Sequence, residues 1–271
     1  SNFMGGNLDG IRKSLSYLAE LGVECIYLNP VFTSPSNHKY DTTDYYKVDP
    51  HFGINEDLRV LVKEAHEKNI RVILDAVINH TGTDFFAFAD LLKKQEKSEY
   101  QSWYHITRLP VREEADCYEC FFGFAGMPKL NTGNEKVQEY LLNVLEYWVR
   151  EVQVDGYRFD VIDEIDENFV LKIRDRLKRL NPELVLIGET WAEGKRLLNG
   201  CEMDSIMNYS FRQAMLDFFA ERSINAETFG HRLETALSRH PDETNMAMFN
   251  ALDTHDTKRF INSCSHRLDS F

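Results

Sequence analysis

Apolar residues recur along this chain at two alternating spacings: short β-branched runs, and longer segments with the 3.6-residue period of an amphipathic helix. GIRKSLSYLAELGV predicts a helix closed by Gly22, and ECIYLNPVF predicts the strand after it. NEDLRVLVKEAHEKN then predicts a helix capped by Asn55, leading into the strand IRVILDAVINH. The alternation continues with helix NEKVQEYLLNVLEYWVREV and strand VDGYRFDVI, then helix ENFVLKIRDRLKRLNP and strand ELVLIGETW. The run CEMDSIMNY, two helices over about 209–239 and a last strand near NMAMFNALDTHD bring the expected strands to six. Crossovers of about a dozen residues or more separate them, as parallel pairing requires. Residues 81–133 are too long for a simple loop, and TDFFAFADLLKKQEKSEYQSWY within them predicts a helix, so this stretch is expected to form a small excursion after the strand ending at His80.

Composition narrows the picture little. The 271 residues, 43% hydrophobic and 28% charged, suffice for one large α/β domain or two smaller ones. With 44 acidic against 31 basic residues, the net charge of −13 disfavours nucleic acid and anionic membrane as partners. No apolar run approaches the length of a bilayer span and no signal pattern opens the chain, so a cytoplasmic location is the expectation. Ser1 and Asn2 read as a cloning scar. Five cysteines form no paired framework, and the single C-x-x-C of Cys117 and Cys120 reads as incidental thiols in a loop.

The chemistry gathers where the predicted strands end. Asp75, Asn79 and His80 end one strand, Arg158 and Asp160 the next, Glu189 the one after, and His255 with Asp256 the last. Polar groups converging at the C-terminal ends of parallel strands are the usual makings of an active site in a barrel. Arg158 and Asp160, at i and i+2, share a strand face, so the cation favours the ionised form of the acid. Glu189 lies one βα unit later; with strands about 4.8 Å apart, the two carboxyl groups are expected roughly 5–5.5 Å from each other, the spacing of a retaining glycosidase. Gly188 and Trp191 beside Glu189 suit an acid that keeps its proton. By contrast Asp163, Glu164, Asp166 and Glu167 read as the solvated entry to the following helix, favoured by its dipole.

These segments resemble the α-amylase family of glycoside hydrolases over nearly the whole chain. DAVINH, GYRFDVIDE, GETW and LDTHD are similar to its four sequence regions, in order. MPKLN at 127–131, with SPSNHKYDTTDYY and DTHDTKRF, is similar to the neopullulanase, cyclomaltodextrinase and maltogenic amylase subgroup. The resemblance implies a TIM (β/α)8-type barrel, incomplete here: a catalytic segment over 3–271 with about six strands, the first and eighth missing, carrying the 81–133 excursion as an inserted domain. It implies Asp160 as nucleophile, Glu189 as general acid/base and Asp256 as transition-state stabiliser, with Tyr40, Asp75, His80, Arg158, Trp191 and His255 on the substrate side. Tyr40 would be an aromatic platform under a sugar, while Phe121 and Phe122 would either meet a further sugar or anchor the excursion. The implied substrates are α-1,4-linked malto-oligosaccharides, cyclodextrins or pullulan, without a required cofactor. Relatives bind calcium near a GGD-like turn; Asn7 stands at the acid's place in Gly5-Gly6-Asn7 and is a weaker ligand for a hard cation. VIDE from Val161 to Glu164 departs from the subgroup's VANE, and Thr254 stands where Asn or Ser is usual. Open barrel edges would invite pairing with a second copy. Two alternatives stand beside this reading: an enolase-like barrel using the acids as magnesium ligands, and an inactive fragment that only binds α-glucans.

Overall fold

In the computed structural model, which describes residues 3–264, the first amphipathic run folds as α1 (Leu8–Glu20). Asn7 caps it by accepting the Gly10 N–H at 2.8 Å. Gly22 closes it: with φ +82 it adopts the left-handed conformation that lets its own N–H reach the Ala19 carbonyl and that of Val23 reach Leu18. The strand expected over 24–32 splits in two. β1 (Cys25–Leu28) stops before Pro30, which offers no N–H to a ladder. β2 (Phe32–Thr33) then pairs antiparallel with β3 (Asp44–Val48), a hairpin the sequence pattern did not announce.

Ile54, not Asn55, occupies the capping position of α2 (Asn55–His66), and the Asp57 carboxylate accepts the Ile54 N–H at 2.8 Å. Asn55 turns to β3 instead, accepting from Val48 N–H and donating to the Tyr46 carbonyl, both at 2.8 Å. β4 (Arg71–Ala76) follows. The helix expected over 83–104 is shorter: α3 (Phe86–Lys94) ends where Gln95 takes a positive φ of 54°, and two 3-10 turns replace the rest. Isolated bridges such as Ile106 to Tyr118 and Cys120 to Pro128 tie the remainder of the excursion together, over a core in which Phe88 meets Tyr104 and Tyr118 edge-on.

α4 (Glu135–Glu151) buries Leu141, Leu145 and Trp148, and β5 (Gly156–Phe159) is buried at all four positions. β1, β4 and β5 form a parallel sheet in that order, and β4 is sheathed by both neighbours. Asp155, just ahead of β5, accepts the Val72 N–H at 2.7 Å and bonds His66 at 2.8 Å through one carboxylate oxygen, while its carbonyl takes the Val185 N–H. Next to it, a Cβ on Gly156 would lie 2.1 Å from the Val185 carbonyl oxygen, so only glycine fits. α5 (Glu167–Leu180) is capped by Asp166, and Asp163 and Glu164 are exposed, which accounts for the acidic run after Asp160.

The chain divides into two compact units, the one above running to Val185 and a second beginning at Leu186. In the second, the residues of β6 (Val185–Gly188) pair in parallel with β7 (Ser205–Ile206), fixed by Asp204, whose backbone and carboxylate bond both sides of Leu186. α6 (Tyr209–Met215) and α7 (Ala226–Leu237), the latter capped by Asn225, are the two helices expected over 209–239. The sixth expected strand is not formed. Its first two residues, Asn245 and Met246, end α8 (Asp242–Met246), which is opened by Pro241 with acids in its first turn, and a single parallel bridge from Phe249 to Met207 remains of the strand. A short α9 (Phe260–Ser263) follows. Residues 265–271 of the expected catalytic segment lie outside the described residues. Among the described residues no helix is long and apolar enough to cross a membrane.

Candidate active site

Register builds the first half of the site. β4 and β5 pair so that Asp75 faces Arg158 directly, and β1 sets Tyr27 beside Ile73, two positions short of Asp75 on the same side. Arg158 Nη1 donates to Asp75 Oδ1 and Oδ2 at 3.0 and 3.1 Å and to Asp160 Oδ1 at 2.7 Å. Asp75 Oδ2 also accepts the Tyr27 hydroxyl at 2.5 Å and the Tyr40 hydroxyl at 2.9 Å. Asp75 and Arg158 are at most 1% exposed and Asp160 is 5% exposed, so these charges must satisfy one another rather than water. Burial works against the Arg158 cation, but Asp75 and Asp160 more than offset it and hold the guanidinium charged. Burial, reinforced by Asp75, pushes the Tyr27 and Tyr40 hydroxyls well above their ordinary range, so both remain neutral donors.

Tyr40 rides on a loop held from below by a buried ion pair. Lys39, fully buried with φ +67, places Nζ 2.7 Å from Asp49 Oδ2 and 2.8 Å from the Ser34 carbonyl, under the Phe3 ring at 4.9 Å. Burial alone would raise the Asp49 carboxyl; Lys39, His51 and backbone N–H donors overcome it and hold it below the usual carboxylate range.

His80 lies beyond the end of β4 and is fully buried, its ring stacked on Phe121 at 4.7 Å. The excursion is thereby anchored at Phe121, while Phe122 is 81% exposed. Burial pushes the His80 imidazole down to about 4, against a smaller opposing pull from the Tyr40 backbone. Neither ring nitrogen of His80 and neither amide atom of the buried Asn79 has a hydrogen bond of normal geometry. Polar groups left so at depth are where an external partner gains most.

The second unit carries the remaining candidates. Glu189, 7% exposed, directly follows β6. Trp191 is 62% exposed and lies flat on Tyr209, with centroids 3.8 Å apart and planes 8° apart. His255 and Asp256 sit in a turn rather than at a strand end, 3.1 Å from each other, and Thr254 Oγ1 accepts the Asp256 N–H. Asp253 is committed elsewhere: the Phe260 N–H and then Arg259 hold its carboxyl below the ordinary range at the start of α9.

At the Gly5–Asn7 turn the candidate side chains are already engaged. The Asn7 side-chain oxygen serves as the cap of α1, and Asp9 is taken by Arg12 and Lys13 at 2.6 and 2.5 Å. Among the described residues one group could offer three ligands, Glu114, Asp116 and Cys117, and Arg108 already sits 2.9 Å from both acids. The Arg158 guanidinium stands between Asp75 and Asp160, which counts against the magnesium of the enolase-like alternative at these two acids. Cys117 and Cys120 are free thiols, as are the other three cysteines.

Two contributors escaped the sequence candidates. Tyr27 reads in sequence as an ordinary strand aromatic, and its hydroxyl becomes visible only through the β1–β4 register. Lys39 reads as a surface lysine; its place beside Tyr40 was the available signal.

Known proteins resemble this chain over almost all of its length. The family described as alpha amylase, catalytic domain, matches residues 1–269. The chain is 48% identical over 262 residues to a cyclomaltodextrinase of Thermoanaerobacter pseudethanolicus, covering 96% of this chain and 46% of that protein. It is 45% identical over 265 residues to neopullulanase 2 of Thermoactinomyces vulgaris, covering 97% and 45%. A solved structure of cyclic alpha-maltosyl-(1-->6)-maltose hydrolase from Arthrobacter globiformis superposes with a TM-score of 0.95 at 32% identity, over 98% of this chain and 61% of that one. The chain thus spans about half the length of the curated relatives it matches. A parallel β/α chain with acids at its strand ends, matched over almost all of its length, belongs to the α-amylase family.

Proposed function

We propose that this chain is the catalytic part of a retaining glycoside hydrolase that cleaves α-1,4-glucosidic bonds in malto-oligosaccharides, cyclodextrins or pullulan. The observation that carries the reading is the Asp160 carboxylate, nearly buried and 2.7 Å from a guanidinium that keeps its charge. Such an acid stays anionic and is a ready nucleophile. Glu189 protonates the glycosidic oxygen as Asp160 attacks the anomeric carbon, forming a glycosyl ester and releasing the reducing-side fragment as an alcohol. Glu189, now anionic, takes a proton from water, which attacks the same carbon and frees Asp160. This route needs the two carboxyl groups roughly 5–5.5 Å apart. Asp256 stabilises the positive charge developing on the sugar. Tyr40, His80, Arg158 and His255 surround the sugar being cleaved, Asp75 supports them from behind, and Trp191 faces the leaving group. Relatives named cyclomaltodextrinase and neopullulanase support these substrate classes. Five free thiols support a reducing, cytoplasmic setting.

The test is release of reducing ends from maltoheptaose and β-cyclodextrin. Cleavage by the wild-type chain, lost by more than about a thousandfold in Asp160→Asn, is the expected result. Binding of both glucans with no cleavage would favour the alternative of a chain that only holds them.

A further inference from the structure

We infer that Tyr27 is a positioning residue for the Asp160 carboxylate, acting through Asp75 and Arg158; only its catalytic consequence rests on the function proposed above. A single nitrogen, Arg158 Nη1, serves three carboxylate oxygens, two on Asp75 and one on Asp160. What Asp75 draws from it is withheld from Asp160. The Tyr27 hydroxyl, at 2.5 Å, lies closer to Asp75 than the Tyr40 hydroxyl or Arg158 Nη1 and sits on Oδ2, the oxygen also held by Tyr40. By satisfying that oxygen it relieves the demand on the guanidinium, which then sits closer to Asp160 than to either oxygen of Asp75, 2.7 against 3.0 and 3.1 Å.

Removing the hydroxyl acts on Asp160 in one direction by two routes. The guanidinium shifts toward the less satisfied Asp75, and the Asp75 charge, less well countered, repels Asp160 more strongly. Both favour the protonated form of Asp160. Among the charged and titratable groups of this unit that face the pair are Tyr27, Tyr40 and Arg158 around Asp75, and Arg158, Tyr40 and Tyr45 around Asp160. Buried tyrosine hydroxyls need not act in this way. Tyr157, on β5, gives its hydroxyl to the Leu145 carbonyl at 2.7 Å and so supports packing without touching a carboxylate.

The experiment follows the carboxyl carbon resonance of Asp160 by NMR titration of aspartate-labelled protein, assigned with Asp160→Asn. In Tyr27→Phe its midpoint is expected to rise by about half a pH unit or more, and in Tyr157→Phe to stay within about 0.2 units of wild type. An unmoved midpoint in a Tyr27→Phe protein with wild-type near-ultraviolet dichroism overturns the inference, as does an equal shift in Tyr157→Phe. Should Tyr27→Phe not fold, 3-fluorotyrosine placed at position 27 keeps the ring and donates more strongly. The midpoint is then expected to fall, and no change refutes the inference. The acid limb of kcat/KM should move with the midpoint while KM stays near wild type. If wild-type protein cleaves no glucan, the proposed function fails, and the NMR titration still decides the case for Tyr27.

Discussion

His80 makes the stability of the first unit depend on pH in a way that can be calculated. Its imidazole titrates near 6.5 in an unfolded chain and is pushed down to about 4 by burial. Between those values the unfolded chain takes up a proton that the folded one refuses, so stability present at pH 7 drains away as pH falls from about 6.5 to about 4 and then levels off. Linkage between the two values gives a loss of about 2 kcal/mol between pH 7 and pH 5, and roughly 3 kcal/mol in full. His80→Gln keeps a polar side chain of similar reach and removes the titration. Urea unfolding read by Trp103 and Trp148, both buried in this unit, isolates the effect if Trp191 is first changed to Phe. The expected result is that the wild type loses about 2 kcal/mol more than His80→Gln over that pH range. A difference below about 0.5 kcal/mol would refute the idea that the ring is held neutral by burial.

Two further outcomes test the frame around the site. Lys39→Met leaves the Asp49 charge buried without its cation and should cost about 3–5 kcal/mol by urea unfolding, with Lys39→Met/Asp49→Leu recovering most of it; equal losses in the single and double variants would contradict the pairing. Gly156→Ala drives a methyl into the Val185 carbonyl and should cost more than about 4 kcal/mol, seen as loss of soluble protein or of cooperative melting; near-wild-type melting would mean the approach is not as close as described.

Periodicity carried the β/α alternation because helices such as α2, α4 and α5 bury one stripe, as the Leu141, Leu145 and Trp148 face of α4 does. It failed where tertiary pairing decides. β2 has two residues, too few to show alternation, and exists only because β3 lies opposite. Met246, Met248 and Phe249 suit a strand, yet Pro241 and two acids start a helix just ahead that runs through Met246. At the site, Arg158 and Asp160 were legible together because i and i+2 share a face by geometry alone. That Asp75 faces Arg158, and that two tyrosine hydroxyls converge on one of its oxygens, depends on register between strands far apart in sequence. A string of letters does not contain that alignment.

Asp155 fastens the start of β4, the last turn of α2 and Val185 at the edge of the sheet from which its strands depart. The proposed chemistry sits at the opposite rim, where the same strands arrive. Assembly and turnover are therefore entrusted to different ends of one scaffold. A change at the arriving rim would be felt first in the proposed chemistry, whereas a change at Asp155 would be felt first as failure to fold.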